Sequence, residues 1–273
     1  MELESEQWEA MGPGARRRIE PRGPWLQFSK LTGFESNAYE LAVPDLPAQL
    51  EGLRILHLSD LHCRGSWQKA YDRLIEIVAA RPPDLILFTG DFVEDKFNPE
   101  QGLALARRLI SQLKARLGMF GIRGNHDVCI GPSALSGTPM RLIEAQSVYF
   151  EGIEIIAVPG PWRHSMSQAF AGTIPPKVPG QLRIVMSHVP DHIRPLQSLS
   201  ADLFLAGHTH GGQVCSPGGI PILRHDSLPM KYCSGVHRYE ESWLVVSRGF
   251  GFSSTPIRLF CPTEVVELRL RRA

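Results

Sequence analysis

The sequence predicts an α/β protein in which two β-sheets pack face to face and carry helices on their outer sides. Three observations lead there. Residues 53–122 alternate short apolar runs with amphipathic stretches, the rhythm of strand and helix. Residues 148–270 are dominated by further short apolar runs. The runs of both halves tend to stop at polar residues in turn-forming, often glycine-flanked surroundings. With 273 residues, 43% of them hydrophobic, the chain can bury a core of ordinary density in one large or two small domains.

Each element follows from a local pattern. Residues 1–36 read as an N-terminal arm, partly flexible, rich in Glu, Arg, Gly and Pro over its first 24 or so positions. A single domain over 37–273 follows. Residues 37–43 alternate, with Tyr39, Leu41 and Val43 on one side, as in a half-buried strand. Residues 53–58 are an apolar strand run. Residues 68–80 set Tyr71, Leu74, Ile75 and Val78 at helical spacing. Residues 84–88 are a second strand, 99–117 a helix with Leu103, Ala106, Leu109, Ile110 and Leu113 on one face, and 118–122 a third strand. Strands are then expected at 148–150, 154–158, 183–187, 202–206, 243–247 and 264–270, and a short helix at His192 after Pro190. Two long Gly/Pro-rich loops, 159–180 and 211–235, separate them; loops of that length in a compact domain are usually functional or disordered.

Composition excludes several classes. Lys and Arg number 29 against 28 Asp and Glu, a net charge of +1, so the chain does not coat a nucleic-acid backbone, which needs a large basic excess. Five scattered cysteines with no Cys-x-x-Cys pair make neither a disulfide framework nor a four-thiolate zinc site. They read as reduced thiols of a cytoplasmic protein. No stretch reaches the roughly 18 apolar residues of a membrane span. The 22 N-terminal positions carry Arg16, Arg17 and Arg18 without an apolar region behind them, unlike a secretory signal.

The chemistry lies where the strands stop. The first ends in Asp60 and His62, the second in Asp91, the third in Asn125 and His126. The 183–187 run ends in His188, and the 202–206 run in Gly207, His208, Thr209 and His210. Ligands collect at the carboxyl ends of strands in open α/β sheets, so these groups can converge on one crevice. Carboxylate, amide and imidazole donors without thiolate suit Mn, Fe, Zn or Ni. Seven of them exceed one tetrahedral zinc but suit two ions that share a carboxylate. The Asp60-x-His62 and His208-x-His210 spacings put two side chains on one side of an extended segment.

On these residues the sequence resembles the calcineurin-like metallophosphoesterases: Asp60-Leu-His62, Gly90-Asp91, Gly124-Asn125-His126-Asp127, His188 and Gly207-His208-Thr-His210 stand in that family's order. The resemblance covers about residues 53–270. It implies a four-layer αββα sandwich with two mixed sheets face to face, and two divalent metal ions, manganese favoured with iron, zinc, nickel or magnesium as alternatives. It implies that Asp60, His62, Asp91 and His210 hold one ion. Asp91, Asn125, His188 and His208 hold the other, with Asp91 bridging. His126 is then the acid that meets the leaving-group oxygen, and Asp127 the group that orients its imidazole. Two such ions, roughly 3.5–4 Å apart, clamp phosphoryl oxygens and make a bridging hydroxide available near neutral pH.

The stretch from Gly207 to Gln213, with Val246-Ser247-Arg248-Gly249, is similar to the YkuE- and YaeI-like bacterial branch, which includes an enzyme that cleaves UDP-2,3-diacylglucosamine. This implies phosphodiester or pyrophosphate hydrolysis of a small-molecule or lipid phosphoester, with UDP-2,3-diacylglucosamine or a similar lipid-linked nucleotide sugar as the leading substrate. The alternatives are a soluble nucleotide phosphodiesterase or phosphatase, and a non-catalytic protein-binding scaffold. Many members of that branch carry an N-terminal membrane anchor. None is read in this sequence, so a lipid would be met by a peripheral surface at the inner face of the membrane, with Arg16, Arg17, Arg18 and loop aromatics as contacts. His164 and His225 lie in the two long loops and are candidate substrate-binding groups. His57 sits inside a core strand and reads as structural. Cys63 and Cys129 neighbour the motifs in sequence but point away from them. Phe250 and Phe252 read as packing a loop base.

Overall fold

In a computed structural model, residues 9–11, 14–18, 23–158, 160, 164–222 and 226–273 are described. The chain begins with β1 (Glu9–Met11), β2 (Gly14–Arg18), β3 (Leu26–Phe28) and β4 (Glu35–Val43). It continues through β5 (Arg54–Leu58), α1 (Lys69–Ala80), β6 (Leu85–Phe88), α2 (Glu100–Ile110), β7 (Gly118–Gly121) and β8 (Met140–Leu142). The second half holds β9 (Gln146–Phe150), β10 (Ile153–Ala157), α3 (His164–Ala171), β11 (Leu182–Met186) and β12 (Leu203–Ala206). It ends with β13 (Gly235–Tyr239), β14 (Ser242–Val246), β15 (Ile257–Leu259) and β16 (Glu264–Arg272).

Two mixed sheets result. The first runs β1-β2-β4-β16-β5-β6-β7-β8 and the second β13-β14-β12-β11-β10-β9; β15 and β3 form a small separate pair. Strands β5, β6 and β7 are mutually parallel, as are β10, β11, β12 and β14. Their carboxyl ends are where the sequence motifs lie.

Period-two alternation divides the apolar side chains among three cores. Leu85 and Leu87 of β6 face the second sheet, where they join Tyr39, Leu41, Ile55, Ile155, Ile184, Leu205 and Val245 in the layer between the sheets. Ile86 and Phe88 point the other way, onto Tyr71, Leu74 and Val78 of α1 and Ala106, Leu109 and Ile110 of α2. On the far side of the second sheet, Val185, Phe204 and Leu244 are covered by Ala171 of α3 and by Ile193, Leu196 and Leu199. The order helix, sheet, sheet, helix is the expected sandwich, with a thinner outer layer on the second sheet.

The differences from the sequence reading are local. Helix α2 stops at Ile110, not at 117, because the amides of Arg116 and Leu117 are taken by the carbonyls of Pro83 and Asp84, which pulls the chain out towards β7. The loop 159–180 contains α3, and β13 begins where the loop 211–235 was expected to end. Within the arm, the backbone of β2 pairs with β4, whose edge would otherwise leave amides and carbonyls unpaired. His192 lies in a 3₁₀ turn, Pro190–Ile193. Among the described residues, no helix is long and apolar enough to cross a membrane.

Candidate metal centre

Strands of both sheets end at one place, and the backbone there turns sharply. Asp60, His62, Asp91, His208 and His210 all have positive φ, between 42° and 70°, a conformation costly for residues with a Cβ. Five of the seven motif residues therefore sit on strained backbone, which persists only where the surroundings hold it. Gly124 and Gly207 allow the close approach: a Cβ at Gly124 would collide with the Asp91 carboxylate, and one at Gly207 with Ser59 and the Asp60 carboxylate.

The side chains form two groups that meet at one carboxylate. In the first, His210 Nε2 lies 3.0 Å from His62 Nε2 and 3.3 Å from Asp60 Oδ1, with His62 Nε2 3.8 Å from the same oxygen. In the second, Asn125 Oδ1 is 2.9 Å from both His188 Nε2 and His208 Nδ1, and those two nitrogens are 3.2 Å apart. Asp91 Oδ2 lies between the groups, 3.5 Å from His62 Nε2 and 3.3 Å from His188 Nε2. Imidazole nitrogens facing each other at such distances compete for one proton, whereas a cation between them satisfies both lone pairs. The set fits two ions that share Asp91, with a mixture of N and O donors.

The second nitrogens of His188, His62 and His210 each meet a partner. His188 Nδ1 lies 2.7 Å from the Thr89 carbonyl oxygen, which can only accept, so Nε2 is left for the centre. His62 Nδ1 lies 2.6 Å from Glu94 Oε2, and Arg258 Nη2 lies 3.0 Å from His210 Nδ1. Partners of this kind fix tautomer and ring angle. They also set the charges. Burial opposes a proton on His62, but Asp60, Glu94 and Asp91 outweigh it and hold its pKa up at about 10. Burial likewise opposes His188, and Asp91 holds it up at about 9. Burial dominates at His210, helped by the nearby charges of His62 and Arg258, and holds it down at about 4. Burial alone would raise the Asp60 carboxyl; its imidazole neighbours, His210 first, keep it well below the usual range.

His126 stands beside this group, its ring edge-on to His62 with centroids 4.7 Å apart. Its Nδ1 lies 2.9 Å from the Glu94 carbonyl oxygen, so that nitrogen carries the hydrogen and Nε2 is the one able to deliver or take a proton. The sequence resemblance implied that Asp127 orients this ring, and the structure engages its oxygens elsewhere. Its carboxylate accepts from the amides of Phe92, Val93 and Gly124 at 2.9–3.2 Å, because the tight turn leaves those donors buried. Burial and the Asp91 charge push Asp127 up to about 6.

Glu94 is one of two residues that sequence reasoning missed. One carboxylate oxygen meets His62, the other meets Arg64 at 2.8 Å and the Ser254 amide at 2.9 Å, and the main-chain oxygen meets His126. Its position three residues after Asp91 was the available signal. Arg258 was also missed, and nothing in its local sequence marks it. His225 lies outside the described residues; His164 opens α3, and its side chain lies outside them too. His57 is buried in β5 against Thr89 Oγ1 at 2.9 Å. Cys63 is buried with its thiol 3.7 Å from the Tyr71 hydroxyl, while Cys129 is exposed. Phe250 and Phe252 are buried in the core beneath the helices of the first sheet.

Comparison with known proteins agrees with this geometry. A model of the calcineurin-like phosphoesterases matches residues 53–212, the span from β5 to the turn that carries His210. The chain is 27% identical over 252 residues to an uncharacterized metallophosphoesterase of Helicobacter pylori, covering 87% of this chain and 66% of that one, so it spans about two thirds of that relative's length. It is 30% identical to the phosphodiesterase YaeI of Escherichia coli, covering 80% of this chain and 82% of YaeI. To the UDP-2,3-diacylglucosamine pyrophosphatase LpxG of Chlamydia muridarum it is 26% identical, covering 83% of this chain and 86% of LpxG. The matched segment contains all seven donors of the two groups, and the chain belongs to the calcineurin-like phosphoesterase family, whose members work with a binuclear metal centre.

Proposed function

We propose that this protein hydrolyses a phosphodiester or pyrophosphate bond at a centre of two divalent ions, in which Asp60, His62, Asp91 and His210 hold one ion and Asp91, Asn125, His188 and His208 the other. The observation that carries this reading is the position of Asp91 Oδ2, within 3.5 Å of a nitrogen of each donor group. When bound, such ions clamp phosphoryl oxygens and supply hydroxide near neutral pH. The chain's own residues do the rest. Asp91 joins the two halves, Glu94 and Arg258 keep His62 and His210 aimed, and His126 gives its Nε2 proton to the departing oxygen. We take manganese as the favoured ion and a lipid-linked nucleotide sugar, in the class of UDP-2,3-diacylglucosamine, as the substrate; the similarity to LpxG supports that class. The similarity to YaeI favours the second reading, a phosphodiesterase acting on soluble diesters. The intact donor set argues against a scaffold without activity.

The test is hydrolysis of bis(p-nitrophenyl) phosphate with added manganese, after chelation, and in two variants. Wild type should cleave the diester only with metal. Asp91→Ala should lose both bound metal and turnover. His126→Ala should keep its metal and lose about 10²–10⁴-fold in rate. Full activity of His126→Ala would remove it from the reaction, and metal-independent cleavage would remove the centre. A micellar acylated nucleotide sugar cleaved orders of magnitude faster than the diester would select the lipid substrate over the soluble one.

A further inference from the structure

The small sheet is inside out. In β3, Leu26 and Phe28 are 46% and 65% exposed while Gln27 between them is buried. Its partner β15 places Leu259 opposite Leu26 and Ile257 opposite Phe28, with Arg258 facing inward and fully buried. The sheet extends further. Val214 bridges to Leu259, Cys215 bridges to Pro221, and the Ile222 amide bonds the Val214 carbonyl at 3.0 Å. Directly opposed residues share a face. Pro221 therefore goes with the buried Cys215, and Ile220 and Ile222, 59% and 64% exposed, go with Val214 and Leu259. The inner row is Gln27, Arg258, Cys215 and Pro221. The outer row is apolar from Phe28 to Ile222 apart from Ser216, with Trp25, 61% exposed, stacked on Phe260 at its margin.

A sheet with its charged residue inside and its aliphatic row in solvent reverses the ordinary pattern, and exposed apolar patches mark binding surfaces. We propose that this face seats on a lipid bilayer. Two features favour a bilayer over a second copy of the chain. The five most exposed side chains, Trp25, Leu26, Phe28, Ile220 and Ile222, present on the order of 500–600 Å² together, less than the ~800 Å² per partner of a standard protein interface. Protein interfaces also carry about one hydrogen bond per 100–200 Å², and the outer row offers a single side-chain polar group, the Ser216 hydroxyl opposite Ile220, which already accepts from the Ile220 amide at 3.3 Å. Hydrocarbon asks for none. An aromatic margin of Trp25 and Phe28, with the exposed Lys30 two residues on, suits the headgroup boundary.

The face is fastened to the metal centre at two points. Arg258, on the underside of β15, holds His210 Nδ1 at 3.0 Å. Ser254, in the loop entering β15, donates to Glu94, whose other oxygen meets His62. Seating the face therefore holds the centre at a fixed place relative to the bilayer surface, where the head group of an acylated substrate lies. This use of the face rests on the lipid-substrate reading; the face itself does not.

The test is sedimentation of the full chain with vesicles of phosphatidylcholine alone and of phosphatidylcholine mixed with phosphatidylglycerol, for wild type and Phe28→Ser/Ile222→Ser. Both positions are surface residues outside the centre. Wild type should sediment with both vesicles, and the double variant should partition at least about ten-fold more weakly while cleaving bis(p-nitrophenyl) phosphate at the wild-type rate. Wild type left in the supernatant, or a variant that binds as well as wild type, overturns the proposal. So does a wild-type dimer in sedimentation equilibrium that the double variant abolishes, since the face would then be a self-interface. Cleavage of the acylated nucleotide sugar in detergent micelles reports on the substrate separately. Vesicle binding without that cleavage upholds the face and sinks the substrate; cleavage without vesicle binding does the reverse.

Discussion

Two fully buried arginines show how differently the two ends of this sandwich use a charge. Arg183, in β11, meets the Glu154 carboxylate of β10 at 2.6 Å and the carbonyls of Leu199 and Pro175 at 2.7 and 2.9 Å. Arg258, in β15, has no carboxylate in ion-pair contact among the described residues. It is wrapped by the carbonyls of Gly251, Arg248, Cys261 and His210, and reaches His210 Nδ1. The first is a neutralised pair that joins two strands. The second is a cation solvated by the backbone, and burial pulls its pKa down. A charge buried without a carboxylate costs stability, so its place beside His210 points to the centre and not to the fold. His57, a third buried basic group, sheds its charge altogether: burial lowers it to about 4, against the pull of Glu264 and Asp60.

The comparison can be broken in order of effect. Arg183→Met leaves Glu154 buried without its cation and should cost about 3–5 kcal/mol of stability, read from the urea midpoint, with metal bound per folded molecule unchanged. A loss of metal at intact stability would put Arg183 in the wrong class. Arg258→Met should do the opposite. His210 loses the donor at Nδ1, and manganese affinity should fall about 10–100-fold, measured by titration, with a smaller change in the urea midpoint. Unfolding without altered affinity would make Arg258 merely structural.

His57 sharpens the contrast through pH. Its folded pKa lies below its unfolded value of 6.5, so between pH 6.5 and 4 the unfolded chain binds more protons, and stability falls as pH falls. Near pH 5 the loss should be about 1–2 kcal/mol relative to pH 8. It should be absent in His57→Gln, which keeps a hydrogen-bonding amide beside Thr89. An unchanged acid slope in that variant would assign the effect to other groups.

Much of this was legible in the sequence. The runs ending in Asp60, Asp91, Asn125, His188 and His208 are local patterns, and their place at strand ends follows from periodicity and glycine spacing. The helix spacing of Tyr71, Leu74 and Val78 foretold which side of α1 is buried. Glu94 escaped because its link to His62 and His126 depends on how two turns face each other. Asp127 was misassigned for the same reason: adjacency to His126 suggested a partner, but the nearest unpaired amides decided where its oxygens went. The small sheet escaped because its strands come from Leu26–Phe28, 213–215, 220–222 and Ile257–Leu259, each too short to show a period.

What the sequence determined by itself is therefore the chemistry: the donor types, their order, and the alternation that buries strands and helices. These depend on neighbours within a few residues, where side-chain direction is set by backbone geometry. Only the tertiary structure decided which nitrogen of each histidine faces the centre, which groups steady it, and that the charged side of β15 turns inward while its apolar side meets solvent. Those outcomes depend on contacts between residues tens to hundreds of positions apart, such as His210 with Arg258 or Arg248 with Glu35, and no local pattern carries them.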